Sequence, residues 1–255
     1  MYKNKKVFAI IDATENKKYR DSKKILSKQS AKKAEEILKK IDKLEYTDEY
    51  FNRPIFINTL LVFEESDIID VVYLIIDEED EEKIKKLVEQ YNIEKVEKYI
   101  LSDSLRQYSM ELALDEIIIS KEEPQFIITH DAKAPFINED TIKQLGDGMH
   151  KNMACVFGYP LKDNVKKVNL DEMKIMEKVK VQELWNTQFP KMFLSGILIS
   201  AYNYADEFKL YSEDDATLIE YMRFPIKILD GGMKNNLLDV SIFDTLGRIF
   251  EEKLK

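Results

Sequence analysis

Residues Gln125 to Phe136 read QFIITHDAKAPF. Gln125 to Thr129 is a short apolar run of the kind a buried parallel strand presents. His130 to Phe136 follow it where open α/β sheets place their ligand-facing residues, just beyond a strand's carboxyl end. Similar runs occur upstream at Lys6 to Ile11 (KVFAII), Val71 to Ile76 (VVYLII) and Val96 to Leu101 (VEKYIL). Helical patterns lie between them: Ser30 to Leu44 with Ala34, Ile37, Leu38 and Ile41 on one face, Pro54 to Phe63, Glu79 to Tyr91, and Leu105 to Ser120. Strand and helix alternate, which predicts an α/β fold with an open, mostly parallel sheet and helices on both faces.

Beyond residue 150 the rhythm changes. Ala154 to Pro160 reads as a strand, and the stretch from Lys162 to Glu183 alternates apolar and charged residues at period two on both sides of Asn169 to Glu172. That pattern predicts a protruding β-hairpin arm over about 162–183. Lys191 to Asp206 and Asp214 to Met222 read as helices, Ile226 to Asp230 and Leu238 to Val240 as strands, and Ser241 to Asp244 as the cap of a last helix. No low-complexity linker or repeat divides residues 1–255, so one domain with an arm is expected.

Composition narrows the function classes. There are 39 Lys and Arg against 48 Asp and Glu, a net charge of −9, which argues against nucleic-acid or anionic-membrane binding. Charge is unevenly placed: residues 1–43 carry a net +8 and residues 44–255 a net −17. The basic end reads either as solvated helix faces or as a patch that meets a phosphorylated ligand. One cysteine, Cys155, excludes an internal disulfide and a cysteine zinc site, and no apolar run is long enough for a bilayer span or signal peptide. A soluble cytoplasmic protein is expected. The first of seven glycines is Gly146, so no glycine-rich phosphate cradle exists in the first 145 residues.

The segment from His130 to Phe136 resembles the His-Asp-Ala-x-Arg-Pro-Phe segment of the CDP-polyol-forming cytidylyltransferases, the 2-C-methyl-D-erythritol 4-phosphate and ribitol-5-phosphate cytidylyltransferases. Other pieces follow in the family's order. Asn52 to Leu60 resembles its Gly-Lys-Pro-x-x-x-x-Thr-Leu, Arg106 to Ser109 its Arg-Gln-x-Ser, and Pro160 to Asn164 its Pro-x-x-Asp-Thr. Leu184 to Pro190 resembles Leu-Trp-x-x-Gln-Thr-Pro, and Glu213 to Ala216 resembles Thr-Asp-Asp-Ala. The resemblance implies a Rossmann-like nucleotidyltransferase sheet. It also implies a reaction in which a polyol phosphate attacks the α-phosphorus of CTP and releases pyrophosphate, with Mg²⁺ as the cofactor of an active member. An ionised phosphate nucleophile needs little base catalysis; the demand is for cations and N–H donors around the phosphates.

By position, the resemblance implies catalytic roles for Lys18, Lys28, Asp131 and Lys133, and nucleotide contacts for Asp12, Ala13, Ser109 and Asp131. It implies substrate contacts for Asp163, Asn164, Lys180 and Asp215, and a metal contact for Asp131. The departures fall on the same positions. Where the family has Leu-Ala-Ala-Gly-x-Gly-x-Arg-Met, this chain has Ile11 to Tyr19 (IDATENKKY), so both glycines are gone and Asp12 and Glu15 bring carboxylates into a phosphate loop. The family's arginine after His-Asp-Ala falls at Ala134, its Gln-Thr-Pro threonine at Phe189, its Thr-Asp-Asp threonine at Glu213, its Asn-Ile-Lys lysine at Leu238, and its arm arginine at Val181.

Structural readings stand beside these roles. Asp12 and Glu15 read as turn or cap acids, Asp131 as an acid bonded to backbone N–H groups after its strand, and Asp215 as a helix cap. His130 reads as a packed histidine, Trp185, Phe189 and Phe193 as core, and Cys155 as a buried strand residue. The expectation is a diverged member with weak or lost catalysis, acting as a binding or regulatory partner, for instance of an active paralogue. The alternative is an active nucleotidyltransferase whose lysines replace the glycine loop; a structural subunit without ligand is a third reading. A homodimer joined through the β-arm is expected, because the family exchanges such arms and Val165, Val168, Ile175, Val179 and Val181 form apolar rows that a lone arm leaves in water.

Overall fold

A computed structural model describes residues 5–14, 49–50, 53–162, 164–169, 172, 174–212 and 214–232. Its centre is strand β1, Val7–Ala13, buried along its whole length because both edges are paired and both faces are covered. The other strands are β2 Glu49–Tyr50, β3 Arg53–Pro54, β4 Val71–Ile76, β5 Val96–Leu101, β6 Phe126–Asp131, β7 Ala154–Pro160, β8 Lys166–Asn169, β9 Lys174–Lys178, β10 Trp185–Leu194 and β11 Lys227–Asp230. The helices are α1 Ile55–Glu65, α2 Glu81–Gln90, α3 Arg106–Ser120, α4 Glu139–Gly148, α5 Ser195–Phe208 and α6 Asp215–Tyr221.

Seven strands form one open sheet in the order β11-β7-β10-β6-β1-β4-β5. Only β10 runs antiparallel to its neighbours, so the sheet is mostly parallel as expected. Residues of β1 alternate between two cores. Val7, Ala9, Ile11 and Ala13 join one cluster with Phe56, Leu60, Ile84 and Leu145, while Phe8 and Ile10 join the other with Met110, Leu114, Leu198 and Leu218. The first cluster lies under α1, α2 and α4, the second under α3, α5 and α6.

Chain order reverses at β1: β4 and β5 extend the sheet on one side, and β6 then returns to the other. That reversal opens the crevice where ligands settle in such sheets, outside the carboxyl ends of β1 and β6. Beyond it, Gly158 on β7 allows close approach, since a Cβ there would stand 2.8 Å from the Asn186 carbonyl oxygen.

Several expectations need correction. Lys191 to Leu194 are strand, not helix: Lys191, Met192 and Phe193 pair with both β6 and β7, and α5 begins only at Ser195. Helix α4 was not foreseen; its Asn138 cap accepts from the Thr141 N–H at 2.9 Å. Trp185 is 38% exposed at the start of β10 and is not core, whereas Phe193 is fully buried. The arm is present as the β8–β9 pair, with Val168 opposite Ile175 and a bulge after Lys167. The expected helix at Ser30 to Leu44, strand at Leu238 to Val240 and cap at Ser241 to Asp244 lie outside the described residues. Among the described residues no helix is long and apolar enough to cross a membrane.

Candidate functional site

The crevice floor is built from the ends of β1 and β6, where Asp12 and Asp131 are register partners on adjacent strands. Asp12 is 3% exposed. Its Oδ1 accepts from the Thr14 N–H at 3.0 Å and the Thr14 hydroxyl at 2.7 Å, which makes it the turn acid expected at the end of β1. Asp131 is half-buried and accepts from the Lys133 N–H at 2.8 Å, and the Ala132 N–H reaches the Asp12 carbonyl at 2.8 Å. Burial first, and then the neighbouring Asp12 charge, push the Asp131 carboxyl up to about 6, against the opposing pull of Lys133 and Arg106.

Beneath this pair lies a buried ionic cluster. Arg106, at the start of α3, donates through Nη1 to Asp215 Oδ1 at 2.6 Å and through Nη2 to Asp215 Oδ2 at 3.0 Å. The Thr129 hydroxyl on β6 donates to Oδ2 at 2.7 Å and the Tyr202 hydroxyl on α5 to Oδ1 at 2.6 Å. Burial alone would raise the Asp215 carboxyl, but the Arg106 guanidinium overrides it and holds the group well below the usual carboxylate range. A cation at a helix N-terminus opposes the helix dipole, so the tertiary partner keeps Arg106 there. The cap of α6 is Asp214, which accepts from the Ala216 N–H; Asp215 is the buried ion, correcting the expectation that Asp215 caps.

The second buried cation, Lys191 on β10, is bound to Asp214. Phe189 stands between the two cations, with Lys191 Nζ 4.9 Å and Arg106 Cζ 5.6 Å from its ring centroid. His130 points to the opposite face of the sheet, fully buried against Phe63 and edge-on to Phe189. Its Nε2 lies 3.1 Å from the Ala134 carbonyl, and burial lowers it to about 3, so it is the neutral packed histidine expected. Cys155 is a buried strand residue whose thiol is pushed up to about 11 by burial.

Asp12, Ala13, Asp131, Lys133 and Asp215 therefore gather at the β1 and β6 ends. Ser109 is fully buried nearby on α3 and shares a 2.8 Å hydrogen bond with Ser102, just beyond β5. Asn164 and Lys180 stand apart on the exposed arm, where Lys180 pairs with Glu183 at 3.3 Å. Asn164 lines a cavity of about 390 Å³ at the arm's neck, with Lys162, Val165 and Val179. Lys18, Lys28 and Asp163 lie outside the described residues. Arg106, Thr129, Lys191, Tyr202 and Asp214 received no role from the sequence, although a lone arginine opening an apolar helix was a usable signal.

Asp12 and Asp131 offer hard oxygen donors that suit Mg²⁺, which binds through one or two carboxylates together with substrate phosphates. Among the described residues no group of three or more His, Cys, Asp or Glu is placed to hold a metal ion.

Comparison with known proteins converges on one family. The family model described as IspD, 2-C-methyl-D-erythritol 4-phosphate cytidylyltransferase, matches residues 39–241. A curated protein of that name from Alkaliphilus metalliredigens is 32% identical over 185 residues, covering 72% of this chain and 75% of its own length. One from Halalkalibacterium halodurans is 28% identical over 183 residues, covering 72% and 78%. Among solved structures, the 4-diphosphocytidyl-2C-methyl-D-erythritol synthase of Anaerococcus prevotii superposes with a TM-score of 0.76 at 20% identity, covering 97% of this chain and 99% of the other.

Proposed function

The chain belongs to the 2-C-methyl-D-erythritol 4-phosphate cytidylyltransferase family, and from that premise we propose that it is a diverged member whose CTP turnover is weak or lost and which acts as a binding or regulatory subunit. The family reaction joins CTP and a polyol phosphate and releases pyrophosphate. The observation that carries the reading is the commitment of the two buried cations. Arg106 is held bidentate by Asp215 and Lys191 is bound to Asp214, so neither is presented to a triphosphate. Ala134 and Phe189 occupy positions where the resemblance places an anion-binding arginine and a threonine. Losing one transition-state donor costs on the order of 10² to 10³ in rate, and several losses together leave little.

In this reading Asp131 would hold Mg²⁺, whose role when bound is to neutralise phosphate charge. The chain's own residues shape the rest: Thr14 and Lys133 N–H groups fix the two floor carboxylates, and Asp215 locks the start of α3 against β6. The protein works as a homodimer through its arms, since Ile175 and Met176 are 68% and 61% exposed on the arm and a two-fold contact buries both copies at once. An active paralogue is a partner of the kind this role requires.

A second reading rests on the net +8 of residues 1–43, whose lysines supply the phosphate clamp. Pyrophosphate release from CTP and Mg²⁺ with methylerythritol 4-phosphate or ribitol 5-phosphate separates the two. Negligible turnover supports the first, and ordinary turnover abolished by Lys18→Ala and Lys133→Ala supports the second.

A further inference from the structure

We propose that Asp215 is the built-in occupant of an oxyanion site, and that α6, which carries it, is an autoinhibitory strap whose release opens that site to a phosphate or pyrophosphate group. This deepens the proposed function and rests on it for the reading that the buried cations are withheld from phosphate. Both terminal nitrogens of Arg106, the Thr129 hydroxyl and the Tyr202 hydroxyl converge on the one carboxylate at 2.6–3.0 Å. Three elements, α3, β6 and α5, supply these donors, and each of the three side chains belongs to a residue more than nine-tenths buried. A phosphate group presents to a guanidinium fork the same paired oxygens that a carboxylate does, so the donor set fits a phosphate once the carboxylate leaves. Lys191 adds a second cation from β10, held by the neighbouring acid, Asp214.

Both acids enter on one short element. Asp214 caps α6 and Asp215 is its first residue, so a single movement of α6 frees both cations together. The helix is seven residues long and is held to the core by Ala216, Leu218 and Ile219. Two non-glycine residues in the left-handed region, Lys209 at φ 53° and Arg223 at φ 61°, mark where the chain turns into and out of the segment. Its latch is Gln107, next to Arg106 in sequence and 2% exposed. The Gln107 amide donates to the Leu210 carbonyl at 3.2 Å and accepts from the Ser212 N–H at 2.9 Å, while Glu111 accepts from the same Nε2 at 3.1 Å and fixes its orientation. The Ser212 hydroxyl then bonds the N–H and the carbonyl of Asp214 at 3.0 and 3.1 Å. Gln107 thus holds the connection into α6 through atoms that belong to neither ion pair.

The site borders the crevice. Phe189, half-buried, lies over the two cations, with its ring centroid 4.9 Å from Lys191 Nζ and 5.6 Å from Arg106 Cζ. Arg106 Nε has no hydrogen-bond partner and stands 3.7 Å from the Asp12 carboxylate on the crevice floor. A ligand that binds only the open form has its affinity reduced by the fraction of molecules that are open. Loosening the latch raises that fraction and tightens apparent binding by the same factor, whereas an ion pair with a purely architectural role leaves anion affinity unchanged.

The test uses the full chain and inorganic pyrophosphate. Gln107→Leu removes the latch and leaves both ion pairs and all four donors in place. In calorimetry it should bind pyrophosphate about tenfold more tightly than the wild type, the ratio expected when the lost hydrogen bonds belong to the closed form alone. Asp215→Ala removes the occupant itself, so millimolar pyrophosphate should raise its melting temperature by at least about twice the rise seen in the wild type, and adding Arg106→Ala should cancel that gain. Affinities of Gln107→Leu and the wild type within about twofold, binding by neither, or an Asp215→Ala gain no larger than that of the double variant would each overturn the proposal. If Asp215→Ala does not fold, the Gln107→Leu titration decides alone. The proposed function stands or falls separately, on wild-type turnover, which neither measurement reads.

Discussion

Replacing Asp215 by Ala removes a carboxylate that four donors share: both terminal nitrogens of Arg106 and the hydroxyls of Thr129 and Tyr202. Asp215 is 1% exposed and Arg106 is 7% exposed, so water cannot take the lost partner's place without opening the contact between α3, α6 and β6. Breaking one half of a buried ion pair costs about 3–5 kcal/mol because the other charge is stranded, and two buried hydroxyls without acceptors add to it. We expect a loss of at least about 4 kcal/mol, a large part of the roughly 5–15 kcal/mol that stabilises a folded protein. With a urea slope of about 3 kcal/mol/M the midpoint falls by about 1.3 M, read by circular dichroism. Pairing the variant with Arg106→Ala completes a cycle, and the double variant should recover a large part of the loss because no charge is left stranded. The acid side supplies an independent sign. Asp215 is held below its unfolded value, near 3.9, so its contribution is full above that pH and is lost as pH falls through the folded value; the variant's deficit should shrink in acid. A midpoint shift under about 0.3 M at pH 7, or strictly additive single losses, would refute the reasoning.

Asp131 carries the opposite sign. Its folded value of about 6 lies above the unfolded one, so its contribution is present at low pH and lost as pH rises through 6. Asp131→Asn, which keeps an acceptor for the Lys133 N–H, should therefore raise the melting temperature at pH 7.5 by roughly 2–4 °C. That is about 1 kcal/mol once partial exposure is allowed for, and the gain should be smaller at pH 4.5; an unchanged or lower melting temperature at pH 7.5 contradicts it. For the arm, light scattering at micromolar concentration should give twice the 30.0 kDa chain mass, and Val168→Asp combined with Val179→Asp should halve it. A wild-type monomer under those conditions rules out the arm-mediated dimer.

Much of the fold was legible because the buried parallel strands announce themselves, although the run at Val96 to Leu101, which reads as a buried strand, is the sheet's edge strand and buries only Ile100. The boundaries of β4, β5 and β7 match the apolar runs read from the sequence, and β1 and β6 extend their runs by two residues into Asp12, Ala13, His130 and Asp131. Those extensions matter, since they turn residues read as loop into register partners. Helix α4 leaves a weak signal in the sequence, because only Ile142 and Leu145 mark its apolar face and Gly146 and Gly148 lower its propensity. Lys191 to Leu194 form a short apolar run that fits a strand or a helix equally well, and only pairing across to β6 and β7 decides between them.

The candidate site was legible in part for a different reason. Position after a strand singled out Asp131, and the resemblance added Asp12, but Arg106 and Asp215 are 109 residues apart, and no local pattern announces such a pair. Two adjacent acids, Asp214 and Asp215, were also indistinguishable by sequence. One caps α6 from a half-buried site and the other is buried, a division made by where the helix lands on the sheet.

The measurement that bears most directly on the central claim is pyrophosphate release by the purified full chain supplied with CTP, Mg²⁺ and methylerythritol 4-phosphate, repeated with ribitol 5-phosphate. Ordinary enzymes turn over at about 1 per second or faster, and the combined loss of phosphate donors predicts a rate below about 0.01 per second with either substrate. Turnover at about 1 per second with either one would contradict the account and place the catalytic cations among the lysines of the basic N-terminal segment.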